Sequence, residues 1–122
     1  MITAVAMVCL LSLGLVSQLT AADEEQEKTS VRTVLHSYVE GRDRRDIEAV
    51  LAVLAPSIDQ LTSRGEWRRG VEEATAGMKR SSKKNPGKRS IVVETIRFLR
   101  PGVALADARY TIKGTDGPDR IL

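Results

Sequence analysis

Cysteine is almost missing from this 122-residue chain, which has one, Cys9. No intrachain disulfide can form, and Cys9 lies in an apolar leader expected to be removed, so the mature chain has no thiolate nucleophile either. Its stability must come from packing. Aromatic residues are also scarce, with one Trp, two Tyr and one Phe. Histidine is limited to His36, whose helical neighbours Arg32 and Glu40 place it on a polar face, so it reads as solvent-exposed rather than as a general base. There is no Gly-Lys-Ser/Thr phosphate loop, no Rossmann glycine fingerprint, no His-Glu-x-x-His and no Cys pair. Nucleotide-loop enzymes and zinc sites lose their support, and no cofactor or metal is expected.

Charge is missing from one end. No Lys, Arg, Asp or Glu occurs from Met1 through Ala22, and the apolar run ends in small residues, Thr20 and Ala22 at the −3 and −1 positions of a cut before Asp23. Residues 1–22 therefore read as a signal peptide, although its usual leading Lys or Arg is absent. The rival is a retained anchor, because Ile2 to Leu19 is just long enough to span a bilayer. Cleavage implies a secreted or periplasmic protein with no stable membrane insertion afterwards. The formal net charge of +3 belongs wholly to the remainder, and suits solubility more than a specific partner.

Residues 23–30 read as an acidic linker. Val31, Val34, Leu35, Tyr38 and Val39 then form one apolar stripe of a helix ending near Gly41. Asp46 is a candidate N-cap for a second helix carrying Ile47, Val50, Leu51 and Leu54, which Pro56 stops. "SIDQLTSRGEW" predicts two short strands around a turn at Ser63 to Gly65, and Gly70 opens a third helix through Val71, Ala74 and Met78. "KRSSKKNPGKR" reads as a basic loop without aromatics to stack on bases, so no nucleic-acid partner is expected. Two strands, "SIVVETIRFLR" and "GVALADARYTIK", are separated by a turn at Arg100 to Gly102. The tail, 114–122, shows no element.

Helix, helix, hairpin, helix, strand, strand is an α+β plan with helices on one face of a mainly antiparallel sheet. "VRTVLHSYVEGRDRRDIEAVLAVLAPSID", "GEWRRGVEEA" and "VETIRFLRPGVALADARYTIKG" resemble the nuclear transport factor 2-like superfamily, in its SnoaL-like branch and the small SgcJ/EcaC-type proteins. The resemblance covers roughly residues 28 to 114, and 31–113 is taken as the domain. It implies a curved sheet closing with helices into a cone with a pocket at its open end. It also implies two further strands after Lys113, so the last strands read as missing and Val103 to Lys113 as an exposed edge.

In such a cone a tyrosine and a carboxylate can stabilise an enolate and move a proton. Tyr38, Asp59 and Asp107 are therefore the candidate catalytic residues, against the plainer reading of Asp107 and Arg109 as a solvated sheet face. Trp67, Arg69 and Arg109 are the candidate ligand-binding residues, with Trp67 expected to pack near the lip of the cone. The function expected first is an exported pocket domain binding a small apolar molecule. The alternatives are a cofactor-free isomerase and an interaction module forming a homodimer through its sheet.

Overall fold

The computed structural model describes residues 20–114 and 120–121; residues 1–19, and with them most of the expected signal peptide, lie outside the described residues. Helix α1 spans Ala21–Arg44. It starts in a capping box, where the Asp23 N–H donates to Thr20 Oγ1 at 3.3 Å and the Thr20 N–H donates to Asp23 Oδ2 at 3.1 Å. The stretch 23–30, expected as a linker, thus forms the first turns of α1, and the helix continues past Gly41. Along it Val31, Leu35, Tyr38 and Val39 turn inward with Arg42, whereas Val34 is 46% exposed and leaves the expected stripe.

Arg45, in the left-handed region at φ 59°, ends α1, and its N–H donates to the Arg42 carbonyl. Asp46 then caps α2 (Ile47–Leu51), accepting from the Ala49 N–H at 3.0 Å. The two helices meet at Gly41, where a Cβ would lie 2.9 Å from Val50 Cγ2 and 3.2 Å from the Val50 backbone nitrogen. Only glycine permits that approach.

Strands β1 (Asp59–Leu61) and β2 (Trp67–Arg69) pair antiparallel in the register Asp59↔Arg69, Gln60↔Arg68 and Leu61↔Trp67. Helix α3 follows at once and runs over Gly70–Lys84, so most of the expected basic loop is helical and the connection shrinks to residues 85–87. Ala74 and Met78 on α3 close with Val50 into the buried core, with Tyr38, Leu54 and Ile58 packed around it. The helix extends because Lys, Arg and Ser after Met78 carry its solvated face while Gly77 and Met78 hold its inner one.

The long hairpin of β3 (Lys88–Arg100) and β4 (Val103–Lys113) forms the main sheet, turning at Pro101 and Gly102 as the sequence implies. Ile91 and Val93 face inward, then a register shift between Val93 and Thr95 inserts one extra residue, and Ile96 and Phe98 face inward after it. A short β5 (Arg120–Ile121) pairs with Thr111 and Ile112. The tail therefore carries an element, and it covers one end of the β4 edge; among the described residues, Val103 to Tyr110 remain unpaired on that side. The result is an α+β fold with helices on one face of a curved antiparallel sheet. Among the described residues no helix is long and apolar enough to cross a membrane.

Candidate functional site

Between α1, the β1–β2 hairpin, α3 and the inner face of the β3–β4 sheet lies an open cavity of about 650 Å³. Its walls are set by periodicity. Successive inward turns of α1 supply Leu35, Tyr38, Val39 and Arg42, while Ile91 from β3 and Tyr110 and Ile112 from β4 face them across the sheet. Alternation along the short hairpin sends the cross-strand pair Gln60 and Arg68 inward. The last turns of α3 add Arg80, Ser81 and Lys84 at the rim, and the hairpin turn adds Arg64 and Glu66.

The polar groups of this cavity form one connected chain. Arg68 Nη1 donates to Gln60 Oε1 at 3.1 Å, Gln60 Nε2 donates to Tyr38 Oη at 3.4 Å, and Arg42 Nη1 donates to the same hydroxyl at 3.1 Å. Both ends are guanidinium groups, which can only donate. The Arg42 guanidinium carbon also lies 5.9 Å from the Tyr38 ring centroid. Arg42 is 8% exposed, yet its Nε has no hydrogen-bond partner, and the same holds for Arg68 Nε. Among the described residues no carboxylate pairs with either one. The one acidic side chain of the lining, Glu66, lies at the rim, 4.0 Å from Arg80.

Gly77 makes room for this arrangement. A Cβ there would fall on the Arg68 guanidinium, so the bare α3 backbone is the surface over which that side chain crosses towards Gln60. Tyr110 lies nearby with its hydroxyl buried and unpartnered. Burial pushes its phenol up from the ordinary 10.0, against the opposing charges of Arg42 and Arg89. Arg89 stands beside that hydroxyl without the geometry of a hydrogen bond; its two terminal nitrogens donate to the carbonyls of Asn85 at 3.0 Å and Gly87 at 3.3 Å, just after α3, and its buried Nε has no partner. Its backbone N–H donates to Asp43 Oδ1 at 2.7 Å and ties β3 to α1. Arg89 is thus structural, whereas Arg42 and Arg68 are turned to the cavity.

Of the residues singled out from sequence, Tyr38 is in the cavity and the others are not in its lining. Asp59 is on the outer side of the hairpin, bound to Arg69 at 3.1 Å. Asp107 is exposed on the outer sheet face, where it accepts from Thr95 Oγ1 at 2.6 Å, and Arg109 pairs there with Glu94 at 2.6 Å. No strand aspartate therefore stands beside Tyr38. Trp67 is 52% exposed, and the Arg69 guanidinium sits 5.2 Å from its ring centroid, so the expected packed indole is instead a solvent-facing cation–π pair. His36 is exposed, as its neighbours implied. The start of α3 offers no anion site, because Glu73 Oε2 accepts from the Arg69 N–H at 2.7 Å and fills that positive end.

Sequence reasoning missed Arg42, Gln60 and Tyr110, and of the neighbouring pair Arg68 and Arg69 it selected Arg69 for a ligand anion. A signal existed for Arg42, which follows Tyr38 by four residues and so continues the stripe. The three-residue strands are too short for their inward parity to be read without their partners.

A layered α+β fold with an open cavity between its helices and its curved sheet is the class this geometry defines. No family model matches the sequence, and no curated protein does either. Solved structures do. An NTF-2-like protein of unknown function from Shewanella oneidensis MR-1 superposes with a TM-score of 0.65 at 19% identity, covering 78% of this chain and 82% of that one. Aln2 from a Streptomyces species gives 0.62 at 14% identity over 86% of this chain and 76% of its own. A domain of unknown function with a cystatin-like fold from Nostoc punctiforme gives 0.61 at 19% identity over 84% and 75%. The chain has the nuclear transport factor 2-like fold.

Proposed function

We propose that this protein is a binding domain for a small molecule held in the cavity between α1, the hairpin, α3 and the sheet. The observation that carries the reading is the cavity itself. At about 650 Å³ it has the size of a ligand pocket, with apolar walls from Leu35, Val39, Ile91 and Ile112 and a few convergent polar groups, the usual make-up of such sites. Catalysis is not assigned, because Tyr38 has no carboxylate beside it. Export through residues 1–22 belongs to the same proposal, supported by the uncharged apolar leader with its small-residue exit; the mass of the protein recovered outside the cytoplasm decides between a start at Asp23 and one at Met1.

The test is a thermal-shift screen of the folded protein against compact apolar molecules with one polar end. A ligand at a hundred times its Kd stabilises by about 2.7 kcal/mol, which in a domain of this size raises the melting temperature by roughly 10 °C or more. A saturable rise is expected, and its loss when Ile91 is replaced by Trp would place the ligand in the cavity. A screen with no saturable shift would remove the reading. A homodimer through the outer sheet face is a second reading, supported by Val92, Leu99 and Leu105, which are 63%, 65% and 42% exposed on it. Sedimentation that shows a monomer at all concentrations would dispose of it.

A further inference from the structure

We infer that the ligand of this cavity carries a carboxylate, held by Arg42, Arg68 and the hydroxyls of Tyr38 and Tyr110, with its apolar body against Leu35 and Ile91. The inference rests on the pocket reading above and names the ligand's charge. Its basis is the direction of the hydrogen bonds. Tyr38 Oη receives two N–H donors, from Arg42 and from Gln60, and this uses both of its lone pairs. What remains is its proton, free to be donated. Gln60 in turn has its oxygen committed to Arg68. One lone pair of the Gln60 oxygen apart, the network therefore offers donors.

The electrostatics point the same way. Arg42 is 8% exposed, it lines the cavity, and its Nε is unpartnered. A guanidinium so far removed from water is costly unless an anion meets it. No acid of this fold does so among the described residues, and the Arg68 Nε and Tyr110 Oη are likewise buried without partners. Four donor groups that converge on one space, two of them charged and none fully satisfied internally, complement an oxyanion. The choice of carboxylate over phosphate follows from what surrounds them. Glu73 occupies the α3 start, no glycine-rich loop presents backbone N–H groups, and the inner wall at Leu35, Val39, Ile91 and Ile112 is apolar while the further cations, Arg64, Arg80 and Lys84, stand at the rim, so a planar, singly charged head on an apolar body fits the inner donors best.

The experiment is titration calorimetry with 2-naphthoate and 2-naphthamide, which share a shape and differ in charge, at neutral pH on the full folded chain. The acid is expected to bind at least tenfold more tightly than the amide. In Arg42→Met and in Arg68→Met the preference should fall to near unity while amide binding persists, and in Arg32→Met, on the exposed face of α1 and outside the cavity, it should stay. Arg42→Met should also melt at or above the wild-type temperature, since it removes an uncompensated buried charge; Arg42→Lys, which keeps the charge but not the fork, should lie between in preference. Equal binding of acid and amide by the wild type would overturn the carboxylate and leave the pocket reading standing. A preference that falls alike in Arg32→Met, or survives both Arg42→Met and Arg68→Met, would also overturn it, the first by assigning the effect to general surface charge. Inorganic phosphate displacing the acid at equal concentration would assign the site to phosphate esters instead. If neither probe binds, and the screen above is also blank, the pocket reading falls with it.

Discussion

Gly77→Ala isolates the crossing of Arg68 over α3. Two opposed effects can be weighed. Alanine in a helix interior is favoured over glycine by about 1 kcal/mol. Against this, the new Cβ occupies the place of the Arg68 side chain, which must leave and give up its 3.1 Å hydrogen bond to Gln60, worth about 1.5 to 3 kcal/mol for a charged donor. Arg68 is half-buried and can reach water, so part of that loss returns as hydration. The net change should be small, within about 1 kcal/mol of zero, because a flexible side chain yields more cheaply than backbone. In an Arg68→Ala background nothing is displaced, and the same substitution should stabilise by about 1 kcal/mol outright. Urea denaturation of the four proteins gives the coupling between the two positions, expected at about 1 to 2 kcal/mol. If Gly77→Ala has the same effect with and without Arg68, the two do not compete for that space and the account of Gly77 is wrong. Acid binding by Gly77→Ala should meanwhile weaken as it does in Arg68→Met.

Three further outcomes follow from particular contacts. Gly41→Ala should destabilise by about 1 to 3 kcal/mol despite the helix preference, because its Cβ meets the Val50 backbone nitrogen as well as its side chain; chemical denaturation checks this, and a stabilised variant would show that α1 and α2 part freely. Tyr110→Phe should change stability at neutral pH by less than about 1 kcal/mol, since the lost hydroxyl has no partner to strand. The raised Tyr110 phenol means that the unfolded chain gives up this proton first, so the wild type should lose stability relative to Tyr110→Phe as pH climbs from about 10 towards the folded value; urea midpoints at pH 8 and pH 11 test the sign, and an unchanged difference refutes it. Affinity for 2-naphthoate should be level from roughly pH 6 to 9, as no histidine lines the cavity, and should fall only as the acid itself is protonated.

How much of this was legible in the sequence depended on the length of each pattern. The inner faces of α1 and α3 repeat over many turns, so periodicity alone places Leu35, Tyr38, Ala74 and Met78 on them. The Asp46 cap and the Pro101–Gly102 turn were equally plain, being local chemistry. The site was legible only through Tyr38. Asp59, Trp67 and Arg69 share one parity of the β1–β2 pair and Gln60 and Arg68 the other, and a strand of three residues does not say which parity faces in. Asp107 and Arg109 interrupt an apolar run, and the plainer reading of them holds: they are the ordinary polar face of a sheet whose inner face carries Ala104, Ala106, Ala108 and Tyr110. The helical course of 79–84 was hidden by its charge, because Lys, Arg and Ser serve a solvated helix face and a loop equally well.

Of the two register shifts in β3, the one at Glu94 divides the strand into two reading frames. Before it, odd-numbered residues, Arg89, Ile91 and Val93, face α1; beyond it even-numbered ones do, Ile96 and Phe98. The outer ion pairs and the inner apolar wall are kept on their own sides only by this one-residue offset. A deletion of Glu94 would put the two halves back in a single frame. Because Val93, Thr95 and Ile96 already pair with the consecutive Ala108, Asp107 and Ala106, Ile96 and Phe98 would go on facing the helices and Arg97 and Leu99 the solvent. What the deletion would remove is the local bend that a bulge puts into its strand, together with the Arg109–Glu94 ion pair, so the sheet would flatten beside the wall that carries Ile91 and Tyr110.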